Sequence, residues 1–219
     1  MDPLPPDHIR LLCIEAGFND APICCRLLNT SLQASPPYEA LSYTWGSLEQ
    51  KSTITLGGFP MFVTGHLYDA LRYLRKPDQE RIMWIDAVCI NQRDDKERTE
   101  QVGIMRQIYT KAWHVVIWLG RETLEDKEAF SLLSQFEDIF AEHGVIEIGP
   151  EHIQILGLPT IESSKWIALV KLFQRPWFER IWVVQEAAVC KRHNLFCNPS
   201  AERRSPQFRE DLGIFTRQC

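Results

Sequence analysis

Three short segments of this 219-residue chain place reactive polar groups where the surrounding pattern is apolar. The first is Asp86, inside the run 81–90, where Ile82, Trp84, Val88 and Ile90 would share its face of a strand. A carboxylate in such a run must be paired or hydrogen-bonded. In open α/β sheets, ligand crevices lie beyond the carboxyl ends of the parallel strands, and Asn91 and Gln92 follow Asp86 towards that end. The structural reading, an Asp that caps a turn or pairs with a buried cation such as Arg98, stands beside it. The second segment holds Gln185 and Glu186, four residues after Ile181 and Trp182 on the helix expected beyond Pro176. That spacing puts both polar groups on the apolar stripe, and a carboxylate held against an indole tends towards a raised pKa and ligand hydrogen-bonding. The alternative is a rim residue paired with Arg180 or Lys191. The third is Ser42-Tyr-Thr-Trp-Gly46. Gly46 permits positive φ or close backbone approach, and Trp45 can either stack on a planar ligand ring or pack in the core. No G-x-G-x-x-G or G-x-x-x-x-G-K occurs, which argues against a Rossmann dehydrogenase or a P-loop NTPase. Cys89 lies in an apolar run with no His at a recognisable offset and reads as a small hydrophobe.

The elements that must position these groups follow from periodicity. Residues 8–14 and 23–29 read as short strands, and 38–46 as a strand ending in a glycine turn. Gly57-Gly58 between 53–56 and 61–63 signals a hairpin. Leu67, Ala70, Leu71 and Leu74 have helical spacing. Residues 81–90 read as one strand buried on both faces. Asp94 with Glu97 has capping-box spacing, and Val102, Met105, Ile108, Tyr109 and Ala112 form the expected buried stripe. Residues 113–119 form a second buried strand stopped by Gly120. The strand–helix–strand unit so defined has the length of a right-handed parallel crossover. A helix is expected over 129–140 and a long loop or insertion over 142–159. Another helix is capped by Ser163 or Ser164 and carries Trp166, Ile167, Val170 and Phe173. Pro176 separates it from the next, 177–190. The expected fold is α/β: a central, mostly parallel sheet flanked by helices in three layers, with an N-terminal β-hairpin region and helical insertions.

Charge and composition narrow the function. Against 29 Asp and Glu stand 24 Lys and Arg, a formal net charge of −5, which leaves no basic footprint for nucleic acid. No apolar run reaches the ~18–20 residues of a membrane span, and the first residues lack the regions of a signal peptide. Seven cysteines, odd in number and without a C-x-x-C pair, and six scattered His point to buried reduced thiols and no metal centre. The expectation is a soluble cytoplasmic protein. Seven Trp are a large complement of a bulky side chain, and most fall in or beside the three segments.

At those segments the sequence closely resembles the HET domain of fungal heterokaryon-incompatibility proteins. Residues 38–46 (Tyr-Glu-Ala-Leu-Ser-Tyr-Thr-Trp-Gly) resemble the family's first motif. Residues 84–92 (Trp-Ile-Asp-Ala-Val-Cys-Ile-Asn-Gln), with Glu97, Arg98, Gln101, Met105, Ile108, Tyr109 and 115–120, resemble its second, and residues 175–186 its third. The resemblance implies a HET domain over 38–196, a β-rich N-terminal extension over 1–37 packing on it, and a poorly ordered or truncated tail over 197–219. It implies a role in programmed cell death set off by non-self recognition, through an upstream receptor and self-association. The family fold is regarded as remotely similar to the TIR domain, whose enzymatic members cleave NAD. Trp182-Val-Val-Gln-Glu186 has the Trp-to-Glu spacing of the TIR catalytic helix. By this resemblance Glu186 is the expected catalytic residue of an NAD glycohydrolase. Ser42, Trp45, Gly46, Asp86, Asn91, Arg98, Trp182 and Gln185 are then the expected substrate-binding residues, with NAD as substrate and no resident cofactor. A non-enzymatic signalling module working by oligomerisation is the alternative.

Overall fold

A computed structural model describes residues 3–18, 21–144, 149 and 151–180, together with the backbone of 193–198. The described chain forms two compact units, 3–120 with 193–198, and 121–180.

The first unit is built on an eight-stranded mixed sheet. Its strands are β1 (His8–Ile14), β2 (Cys24–Ser31), β3 (Glu39–Tyr43), β4 (Lys51–Leu56), β5 (Phe59–Thr64), β6 (Arg81–Trp84), β7 (His114–Arg121) and β8 (His193–Asn198). They lie in the order β5-β4-β2-β1-β6-β3-β7-β8. β3 runs parallel to both β6 and β7, and β2 parallel to β4. β1 is antiparallel to β2 and β6, and β4 to β5. The N-terminal strand β1 therefore sits inside the sheet, and every residue from Ile9 to Ile14 is buried. The expected hairpin joins β4 to β5. Gly57 (φ 59°) and Gly58 (φ 86°) take the left-handed conformation that a two-residue turn between twisted strands requires.

Three helices accompany these strands: α1 (Gly65–Leu74), α2 (Asp86–Cys89) and α3 (Asp95–Lys111). α1 buries the four residues that its spacing singles out, Leu67, Ala70, Leu71 and Leu74, and Thr64 caps it by accepting the Leu67 N–H. The crossover from β6 through α3 to β7 also forms, with β3 inserted between the two strands it connects. Helices α1 and α3 pack on opposite faces. Tyr73 of α1 meets Trp118 of β7, whereas Tyr109 of α3 meets Trp84 of β6 edge-on. Trp118 lies opposite Tyr43 in register and Trp84 opposite Ala40, positions of opposite parity along β3.

Two details of this unit differ from expectation. The strand expected over 81–90 stops at Trp84, and Asp86 opens a helical turn in which Ile85 O accepts the N–H groups of Val88 and Cys89. A short apolar run does not by itself separate a buried strand from a buried helical turn. Pairing decides here: β6 pairs with β1 over Arg81–Met83 and with β3 at Met83 and Trp84, and no further. Further on, the buried stripe of α3 is Glu97, Gln101, Ile108 and Tyr109, while Val102 is exposed. The polar members are buried because partners wait for them. Glu97 meets Arg10 of β1, and Gln101 Nε2 donates to the His8 carbonyl.

The second unit comprises α4 (Asp126–His143), α5 (His152–Ile155) and α6 (Ser164–Phe173). Ser163 caps α6 as expected. The buried face of α6 is Ala168, Leu169 and Leu172, whereas Ile167, Val170 and Phe173 are exposed. Trp166 meets Phe136 of α4 edge-on, and Arg175 closes on the buried Asp126 at 2.7 Å. Residues 177–179 form turns rather than the start of a helix. The remainder of the helix expected there, with Trp182, Gln185 and Glu186, lies outside the described residues. No described helix is long and apolar enough to cross a membrane.

Candidate functional site

The parallel trio β6, β3 and β7 presents its carboxyl ends on one edge of the sheet, where ligand crevices form in open α/β folds. From β3 come Thr44, Trp45 and Gly46. From β6 come Asp86 and the loop to Gln92, and from β7 comes Gly120. The start of α1 adds Thr64 and His66.

Asp86 is half-buried and its carboxylate is divided between two donors. Oδ1 accepts its neighbour's Ala87 N–H at 2.7 Å, and Oδ2 accepts the Trp45 indole N–H at 2.9 Å. Gln92 Nε2 donates to the Asp86 carbonyl at 2.9 Å, folding the loop back on itself. The first and third sequence segments are thus joined by one side-chain hydrogen bond. Beside it opens a cleft of about 120 Å³ whose walls include Tyr43, Trp45, Phe62, Leu67 and Gln92. Its walls are mostly apolar, and that volume is well below the ~300–1,000 Å³ of drug-sized pockets. It suits one ring.

The loop is anchored from below. Arg10, 2% exposed, donates to the Cys89 carbonyl at 3.1 Å and to both carboxylate oxygens of Glu97. Glu97 also accepts the Asn91 N–H at 2.7 Å. Hydrogen bonds from Arg10 hold the Glu97 carboxyl below its ordinary pKa, and burial opposes them. The Asp94 side chain caps α3 through the Lys96 and Glu97 N–H groups. Glu97 therefore does not close a reciprocal capping box; it turns inward to Arg10. Cys89, beneath the same loop, is fully buried, and burial pushes its thiol up to about 12.

The remaining sequence candidates take different places. Ser42 is buried in β3 at 1% exposure, with strand parity opposite to Tyr43 of the cleft wall. Asn91 lies in the anchored loop, its Oδ1 accepting the Arg93 N–H. Arg98 does not meet Asp86; it pairs with Asp95 at 2.9 Å on the exposed side of α3. Gly46, at φ 71°, packs against His66: a Cβ there would stand 2.9 Å from the His66 Cβ. Among the described residues, no group of three or more His, Cys, Asp or Glu gathers as metal ligands would. His66 was not marked by the sequence pattern. It precedes the α1 stripe, and its neighbours Gly46 and Gly120 meet it only because Tyr43 and Trp118 are in register.

The stretch that carries this edge is also the stretch that matches known proteins. The profile of heterokaryon incompatibility proteins (HET) matches residues 38–186. The chain belongs to the HET family. Heterokaryon incompatibility protein 6, OR allele, of Neurospora crassa is 30% identical over 234 aligned positions, which cover 85% of this chain and 32% of that protein. The chain thus spans about a third of the relative's length. No solved structure matches it. Within the HET match lie β3, the Asp86–Gln92 loop, α3 and β7. Strands β1 and β2 precede it, yet Arg10 of β1 supplies the cation on which the loop rests.

Proposed function

We propose that this HET domain serves in fungal heterokaryon incompatibility as a cell-death effector, and that it does so by cleaving NAD at the edge carrying Trp45 and Asp86. The observation that carries the reading is the Trp45–Asp86 hydrogen bond beside a ring-sized cleft at the carboxyl ends of parallel strands. An indole 40% exposed and held by a carboxylate is suited to stacking on a nicotinamide or adenine ring. Glu186 is assigned the catalytic role on its resemblance to the TIR glutamate. Its carboxylate would bond the ribose hydroxyls and stabilise the oxocarbenium-like state as nicotinamide leaves with the bonding electrons. Water then takes C1′ and releases a proton. Asp86 orients the stacking wall, and the loop bearing Asn91 and Gln92 borders it. Self-association belongs to the same reading, since TIR-type enzymes complete their site on assembly.

The test is nicotinamide release from NAD by the purified chain, dilute and concentrated, with Glu186→Gln alongside. Release that rises with concentration and is lost in Glu186→Gln supports the reading. No turnover at any concentration, or full turnover in the variant, removes it.

A second reading is favoured by a different observation. The cleft opens beside the sheet-edge strand β5, on which Phe59 and Phe62 are 75% and 70% exposed. A small apolar recess beside an aromatic edge strand also suits a module that signals by contact with another protein. Cell death that survives Glu186→Gln but is lost on replacing Phe59 and Phe62 by Ser would favour it.

A further inference from the structure

His66 enters this edge from the first turn of α1, and its ring is fixed by a bond that sets its chemistry. Nδ1 lies 2.5 Å from the Thr44 carbonyl oxygen and 3.2 Å from Thr44 Oγ1. A carbonyl only accepts, so the neutral ring carries its proton on Nδ1 and Nε2 is left as a bare acceptor. No hydrogen bond engages Nε2 among the described residues. Gly120 packs close beside it: a Cβ there, at φ 102°, would stand 3.2 Å from Nε2. Gly46 closes on the other side of the residue.

A second observation lies against the same ring. Trp118, fully buried, has an indole N–H with no partner among the described residues. Its ring centroid is 6.5 Å from that of His66. Trp118 and Gly120 alternate onto one face of β7.

We propose that His66 Nε2 is a ligand-binding acceptor for a sugar hydroxyl, making ribose the moiety recognised at the Gly46–Gly120 end of the site. The proposal rests on the nucleotide reading above and adds a contact which that reading did not contain. The bare lone pair disfavours unprotonated phosphate oxygens, which offer it no donor. The walls of the adjoining cleft contribute no Lys or Arg to offset that.

The experiment uses the full chain with ¹⁵N-labelled histidine, with ADP-ribose and inorganic phosphate as separate probes. Long-range ¹H–¹⁵N spectra should show His66 protonated on Nδ1 alone, with ADP-ribose moving the Nε2 resonance and phosphate leaving it in place. In titration calorimetry, His66→Asn keeps an amide donor for Thr44 O and loses the Nε2 acceptor. It should weaken ADP-ribose binding about tenfold, the worth of one hydrogen bond. Protonation at Nε2 in the free protein, a shift with phosphate in place of ADP-ribose, or unchanged affinity in His66→Asn overturns the His66 assignment alone. Absence of ADP-ribose binding to the wild-type chain overturns it together with the nucleotide reading.

Discussion

Replacing Glu97 by Gln tests whether the loop carrying Asp86 is held by a buried ion pair. The carboxylate is 5% exposed and accepts from Arg10 Nη1 at 2.5 Å, Arg10 Nη2 at 3.0 Å and the Asn91 N–H at 2.7 Å. Gln preserves the shape and removes the charge, leaving the Arg10 guanidinium as a buried cation facing an amide. Breaking a buried pair from one side costs about 3–5 kcal/mol, most of it from the charge left behind. At ~2–4 °C per kcal/mol for a chain of this size, the melting temperature should fall by roughly 10 °C. The double variant Arg10→Met with Glu97→Leu removes both charges and strands the Cys89 carbonyl and the Asn91 N–H, at about 1–3 kcal/mol each. Urea melts of the wild type, the Arg10→Met and Glu97→Leu singles and the double give the coupling, and the double should cost at least about 2 kcal/mol less than those two singles added together. The pH dependence has a definite sign. The folded carboxyl sits below the unfolded value of about 4.3, so its stabilisation is present above that pH and is lost as pH falls through the lowered folded pKa. Glu97→Gln should flatten that acid limb. A single variant within about 1 kcal/mol of wild type, or an acid limb that keeps its slope, refutes the argument.

Asp86→Ala should release the Trp45 indole N–H, shifting its amide-region cross-peak and its fluorescence maximum, at a stability cost of about 1–2 kcal/mol; an unmoved Trp45 signal contradicts the 2.9 Å bond. Gly57→Ala, where a left-handed residue faces open space, should cost about 1 kcal/mol in denaturant melts. Gly46→Ala should cost at least ~1 kcal/mol more, because its Cβ meets that of His66; equal costs would mean that the two residues do not pack. With the Cys25 and Cys89 thiols each pushed up to about 12 by burial, iodoacetamide at pH 8 should leave both unmodified in the native protein and label the half-exposed Cys24 ahead of them, as read by peptide mass mapping.

What the sequence disclosed depended on whether the deciding interaction was local. The α1 stripe, the Gly57-Gly58 turn and the Asp94 and Ser163 caps are settled within a few residues, and each appears where its spacing puts it. Asp86 was visible as a misplaced carboxylate, but its helical turn was not, because strand pairing ends at Trp84 through contacts with residues more than 40 positions away. Glu97 displayed capping-box spacing and spends its carboxylate on Arg10, 87 residues distant. The exposed apolar residues of α6 and α3 misled for a related reason. Periodicity shows which residues share a face, and a tertiary partner decides which face is buried. His66 had no local signal at all.

The position of β3 explains why the site resists a local reading. Strands β6 and β7 are consecutive through α3, and their crossover leaves room for one strand between them; β3, from earlier in the chain, occupies it. That insertion makes Trp45 a neighbour of Asp86, brings Gly120 to His66, and sets Tyr43 opposite Trp118. The HET motif tryptophans divide accordingly. Trp84 and Trp118 are fully buried on opposite faces of the trio, while Trp45 stands just beyond the end of β3 and is 40% exposed. Packing alone accounts for the buried pair. It does not account for an indole at the sheet edge whose N–H is held by a carboxylate from the adjacent strand end, since an exposed Trp gains little by burial. That residue, rather than the tryptophan count, is the one on which the proposed binding rests.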